Sequence, residues 1–201
     1  MTVRKGARMK KGQVFEGVVE RVEFPNKGVV YVSDAEKGGS ANGAHMIVDA
    51  GKGETLSSAS AGNEQCVIVK NAIPGQRVRV QIHKKRSGKA EGWILEVLEA
   101  SPLEKRKPVC SIFPQCGGCM YQTMSYEGQL KMKERQIKTL IDAAILPGQS
   151  YEFEEIKGSP KEFAYRNKME FSFGDACKDG PLTLGLHKKG SSYDVLTAAD
   201  C

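Results

Sequence analysis

Three cysteines stand within ten residues of one another, in Cys110-Ser-Ile-Phe-Pro-Gln-Cys116-Gly-Gly-Cys119, and a fourth, Cys201, is the last residue of the chain. Thiolates at short spacing, closed by one distant thiolate, are how a chain wraps a metal centre and ties two segments together. Gly117 and Gly118 stand between two of these thiols, where the backbone must curl closely. Four thiolates suit either Zn2+ or a [4Fe-4S] cluster. Zinc sites usually pair two Cys-x2-Cys knuckles, whereas here one such knuckle follows an x5 spacing, which favours iron–sulfur. A redox dithiol fits less well, because no thioredoxin-like βαβ pattern surrounds the pair. Two further cysteines compete for notice. Cys66 lies in an apolar run and reads as a buried thiol, while Cys177, in a turn-like segment, rivals Cys201 for the fourth ligand position.

Six cysteines in a chain with no signal-peptide h-region read as metal ligands or buried thiols, because the cytosol keeps thiols reduced. No apolar run approaches 18 residues, so neither a membrane span nor a membrane partner is expected, and the location is read as cytoplasmic. The net charge is +6, and it is uneven: residues 1–101 hold 16 Lys and Arg against 11 Asp and Glu, the remainder 14 against 13. The densest basic piece is His83-Lys84-Lys85-Arg86-Ser87-Gly88-Lys89. A basic domain of this kind suits a polyanion such as RNA; the competing reading is a solvated hairpin tip.

The elements that must position these groups fall into three parts. Residues 1–11 read as a basic disordered tail. Residues 12–101 read as strands and turns. Arg77-Val-Arg-Val-Gln-Ile82 alternates, which sends Val78, Val80 and Ile82 to a core and Arg77, Arg79 and Gln81 outward. Trp93-Ile-Leu-Glu-Val-Leu98 places Trp93, Leu95 and Val97 on one face. About five short strands over this length suggest an all-β, OB-like barrel. The Gly-, Ser- and Ala-rich stretch 33–65 interrupts it as a flexible insertion, in which only Met46–Val48 could hold a strand. Gly51-Lys-Gly53 lacks the strand–loop–helix context of a phosphate loop.

Residues 102–201 read as a second, small α+β domain carrying the cysteines. Ser101 through Pro108 is a charged linker. Ser125 is placed as an N-cap for a helix from Tyr126 to Ile145, whose Tyr126, Leu130, Ile137, Leu140, Ile141 and Ile145 form a stripe expected to pack in a core. Tyr165–Phe173, Leu182–His187 and Tyr193–Thr197 read as strands.

The series as a whole resembles a known family. It comprises a basic barrel, a Ser-Pro linker, Cys-x5-Cys-Gly-Gly-Cys, Tyr121-Gln122, Tyr126 with Gln129, Leu130 and Lys133, Tyr165-Arg166-Asn167-Lys168, Gly190-Ser-Ser-Tyr-Asp-Val195 and Cys201. It is similar to the N-terminal portion of the RNA uracil-5-methyltransferases, whose first domain is a TRAM barrel that binds RNA. The resemblance implies a [4Fe-4S] cluster on Cys110, Cys116, Cys119 and Cys201, with Cys201 rather than Cys177 matching the last position. It implies structured RNA as partner, ribosomal and foremost 23S rRNA, and no DNA. Family members continue into a domain that binds S-adenosylmethionine. There a cysteine attacks uracil C6, a carboxylate removes the C5 proton, and the target base leaves its stack. No glycine-rich cofactor loop or matching nucleophile is found in these residues, so the catalytic domain is expected to be missing from this chain and the chain inactive alone.

RNA contacts are expected at Arg77, Lys84, Lys85, Arg86 and Lys89, and at Arg166 and Lys168, for which the alternative is strand-surface charge. The rival function is a stand-alone RNA-binding adaptor with a structural zinc. A small electron carrier fits poorly with a large basic barrel, and the Cys-x3-Cys-x2-Cys spacing of radical enzymes is not present.

Overall fold

The structure, a computed structural model, describes residues 9–32, 65–86, 89–199 and 201, with only the backbone of Arg86. The insertion read over 33–65, its Met46–Val48 strand and Gly51-Lys-Gly53 therefore lie outside the described residues, apart from Gln65, which opens a strand.

Five strands close into a barrel: β1 (Val14–Glu23), β2 (Lys27–Val32), β3 (Gln65–Val69), β4 (Arg77–Arg86) and β5 (Lys89–Glu99), in the order β1-β2-β3-β5-β4 with β4 returning to β1. All pairs are antiparallel except β3 with β5. This is the five-stranded closure of an OB-like barrel, as the strand spacing led one to expect. The last residue of β2 and the first of β3, Val32 and Gln65, face each other across the ladder.

Alternation builds the core. Val78, Val80 and Ile82 of β4 point inward against Val19, Val30, Val67 and Val69. Their outward neighbours Arg77 and Arg79 reach Glu16 on β1 and Glu99 and Glu96 on β5, a ladder of ion pairs at 2.6–3.4 Å. Each exposed pair of this kind adds at most about 1 kcal/mol, so the barrel rests on its apolar interior. Met9 also packs into that interior, so the ordered barrel begins before residue 12.

One sequence expectation gains a direction and another is reversed. The Trp93, Leu95, Val97 face of β5 is the outer one, while Ala90 and Gly92 are buried on the opposite parity. The cause is Gly92. A Cβ there would stand 2.9 Å from the Gln81 carbonyl oxygen and 3.0 Å from Val67 Cγ1, so only glycine fits where β5 crosses the narrow interior. Cys66 is exposed rather than buried, because its neighbours Val67 and Val69 take the inward positions of β3.

Beyond the barrel, α1 runs Tyr126–Ala144 and starts as expected: Ser125 Oγ accepts from the Gly128 N–H at 3.2 Å. Its stripe does not form a core, since no residue of α1 is buried. The helix instead meets the barrel along a neighbouring face, where Met132 packs on the core and Gln136 Nε2 donates to the Val22 carbonyl at 2.8 Å. A small antiparallel sheet follows, β6 (Ser172–Gly174), β7 (Thr183–His187) and β8 (Val195–Thr197). The strand read over Tyr165–Phe173 is realised only at its end; residues 165–171 are irregular, with Ala164 at φ 53° just before them.

Ile82→Ala should lower stability by about 2–5 kcal/mol, because it empties a packed interior position. Leu95→Ala, on the outer face, should change it by no more than about 0.5 kcal/mol. Urea unfolding of the two variants checks this; equal losses would mean that the parity of β5 is wrong.

Candidate functional site

The cysteine-bearing segment is a loop pinned at both ends. Glu104 and Met124 form an antiparallel bridge, and the Arg106 N–H donates to the Thr123 carbonyl at 3.0 Å. The first thiol is tied across the loop, where the Cys110 N–H donates to Gln122 Oε1 at 3.3 Å. Gln129, on the first turns of α1, sends its amide to the Tyr121 carbonyl at 3.1 Å. Tyr121, Gln122 and Gln129 thus act as braces on the loop.

The loop is also fastened to the barrel. Glu104 Oε1 accepts from Gln76 Nε2 at 2.8 Å and from the Ser101 N–H at 2.9 Å, while Gln76 Oε1 accepts from the Ile73 N–H at 2.9 Å. Gln76 and Ser101 are buried, and Ser101 Oγ donates to the Pro74 carbonyl. The segment read as a linker is therefore a docked seam with its buried polar groups satisfied. A second tie runs from Asn26, which exchanges hydrogen bonds with Asn71 at 3.0 Å and reaches Met120 Sδ at 3.2 Å, beside Cys119.

The turn between β7 and β8 holds the middle of the loop. Cys116 bridges Lys188, the Gly117 N–H donates to the His187 carbonyl at 2.9 Å, and the Lys189 N–H to the Gln115 carbonyl at 2.7 Å. Gly117 eases this approach: a Cβ would lie 3.1 Å from the His187 oxygen, a tight contact. The Ser191 hydroxyl accepts from the N–H groups of Tyr193 and Asp194, at 3.2 and 3.0 Å, which shapes the turn. His187, Lys188 and Lys189 thus dock the thiol loop, and the Gly190–Val195 segment shapes the turn that feeds β8, which leads to Cys201.

Among these thiols Cys116 is buried, Cys110 half-buried, and Cys119 and Cys201 exposed, as is Cys177. Cys116 Sγ accepts from the Gly118 N–H at 3.3 Å. The Lys189 ammonium lies beside Cys116 and Cys119 and over the Phe113 ring at 5.7 Å; burial pushes its pKa down, against the pull of the two sulfurs. Among the described residues no group of three or more Cys, His, Asp or Glu side chains is gathered as a metal site. What fits a thiolate-bound centre is the donor set: three thiols on one braced loop, an amide N–H on one sulfur and a cation beside two of them.

The basic residues separate into three groups. Lys84, Lys85 and Lys89 are exposed at the β4–β5 tip and make no ion pair among the described residues. Arg86 sits at the end of β4, opposite Lys89. Arg77 is held at 2.9 Å by Glu99 and at 3.4 Å by Glu16, so much of its charge is already answered. Arg166 and Lys168 are exposed on the irregular segment rather than on a strand; Arg166 touches Met169 Sδ and Lys168 pairs with Glu170 at 2.8 Å. Sequence reasoning did not single out His83 and Trp93, which stack beside the basic tip. The lone tryptophan of the chain was the available signal, and its outward parity could not be read without Gly92.

No helix of the described residues is long and apolar enough to cross a membrane. No family model matches the chain. Several curated proteins do. A protein of Clostridium tetani named as an uncharacterized RNA methyltransferase is 38% identical over 193 residues, which is 96% of this chain and 35% of the relative. One of the same name from Caldanaerobacter subterraneus is 46% identical over 133 residues, or 66% of this chain and 29% of the relative. A third, from Clostridium acetobutylicum, is 34% identical over 193 residues. Over 96% of its length the chain is thus similar to a protein named as an RNA methyltransferase, and it spans 35% of that relative's length.

Proposed function

We propose that these residues are the RNA-holding and [4Fe-4S]-bearing portion of an S-adenosylmethionine-dependent RNA uracil-5-methyltransferase acting on ribosomal RNA in the cytoplasm. The observation that carries this reading is the braced thiol loop, in a chain that aligns over 96% of its length with a named RNA methyltransferase. The barrel is read as the TRAM-type RNA domain, with Lys84, Lys85 and Lys89 as its phosphate contacts. Cys110, Cys116, Cys119 and Cys201 would hold the cluster, which when bound would supply a covalent tie between the loop and the chain end that follows β8. The chain's own residues do the rest. Gln122 and Gln129 keep the loop closed, the Gly118 N–H and Lys189 offset negative charge on sulfur, and the Glu104 seam keeps loop and barrel at a fixed spacing. Binding of S-adenosylmethionine and methyl transfer are assigned to residues other than these 201, so this chain alone should transfer no methyl group to RNA.

The rival reading, an RNA-binding adaptor with structural zinc, uses the same thiols and differs in the metal. Anaerobically purified protein should contain iron and sulfide; zinc at one per chain without sulfide would replace the cluster by the rival.

The ligand set has its own test. Cys201→Ser should lose the iron, while Cys177→Ser should keep it. In the loaded protein an alkylating reagent should label Cys66 and Cys177 and spare Cys110, Cys116, Cys119 and Cys201. In the metal-free protein exposed Cys119 should be labelled ahead of buried Cys116. Mass mapping reads both, and protection of Cys177 with labelling of Cys201 would show that the site closes on the other thiol.

RNA affinity should fall steeply with salt. About three phosphate contacts on a single strand give a log–log slope near −2. Replacing Lys84 and Lys85 by alanine should flatten the slope to about −0.7, while Arg77→Ala should alter it less. A slope indifferent to the lysines would remove the hairpin tip from the interface.

A further inference from the structure

We propose that Trp93, backed by His83, is a stacking platform for one unpaired nucleobase of the RNA held by the β4–β5 hairpin. This rests on the RNA reading above and adds to it a site that contacts a base rather than phosphate. The two rings lie parallel, with an interplanar angle of 5° and centroids 4.5 Å apart. His83 covers one face of the indole, yet 60% of Trp93 is exposed, so the opposite face is open to solvent. A large aromatic ring in that position loses the burial that usually repays it, and a π-face held flat and open is what an unstacked base requires.

The imidazole is itself held as a backing. Its Nδ1 is buried with no hydrogen-bond partner among the described residues, and Nε2 stands 4.0 Å from Glu91. Polar groups flank the platform on the scale of a nucleotide. Gln81 is opposite Trp93 in the ladder, and Lys84 is opposite Glu91, two residues or about 7 Å along the strand. Lys89 follows two residues further on, so cations for phosphates and a ring for a base lie along one edge of the barrel. Gly92 holds the arrangement in place, because its tight crossing forces the neighbouring side chain outward.

Trp93 is the only tryptophan, so its fluorescence reports this site alone. The probes are a short single-stranded oligouridylate and an abasic chain with the same number of phosphates, titrated into the 201-residue protein at low salt. The oligouridylate should quench the emission and the abasic chain should not. Trp93→Ala should weaken oligouridylate binding by about 5- to 150-fold and leave the abasic chain unaffected. Trp93→Phe should recover part of the loss. Replacing Lys84 and Lys85 by alanine should weaken both probes alike. Because Trp93 is on the outer face, unchanged unfolding midpoints in its variants separate lost stacking from lost fold. Lysine-dependent binding without quenching, and with Trp93→Ala equal to the parent, would overturn the platform and leave the RNA reading standing. Absence of binding by either probe would overturn both.

Discussion

The Glu104 carboxylate is the interaction on which the arrangement of this protein depends. It accepts from the buried Gln76 amide of the barrel and from the Ser101 backbone, and its own residue opens the bridge that closes the cysteine loop on Met124. An unpaired buried amide costs about 1–3 kcal/mol, so removing this one acceptor would strand donors on both sides of the seam. The barrel's apolar interior and the thiol loop would each keep their own contacts. What would be lost is their fixed relation.

The loop itself is built by groups that carry no chemistry. Gln122, Gln129 and Ser191 place backbone atoms, and Gly117 permits a contact that a side chain would obstruct. Their place around the cysteines therefore has a mechanical origin. The thiols need a rim, and the rim comes from three separated stretches of chain: residues before α1, its first turns, and the turn ahead of β8.

Much of this was legible in the sequence where local physics decides. Alternation along Arg77–Ile82 announced both the core and the outward arginines, and Ser125 announced the start of α1. Legibility failed where a distant partner decides. The parity of β5 follows from how closely Gly92 meets Gln81 and Val67, which no window of β5 contains. The helix stripe predicted burial, but the barrel takes the adjacent Met132 and Gln136 face. A period identifies a face without saying what lies against it. The strand expected from Tyr165 has the right residue types, yet among the described residues β7 pairs with Ser172–Gly174 alone of that stretch. Cys66 was misjudged for a related reason: in a half-buried strand its inward or outward place depends on register, and register is set by β2 and β5.

The facing of Val32 and Gln65 across the β2–β3 ladder has a separate consequence. Whatever joins them leaves and re-enters the barrel at one point, so its length is nearly decoupled from the fold; each doubling of such a connection costs only about 0.6 kcal/mol in closure entropy. That junction is a natural splice point. Sequence can be gained, lost or exchanged there during evolution, or grafted there by design, while the barrel, the seam and the thiol loop keep their geometry.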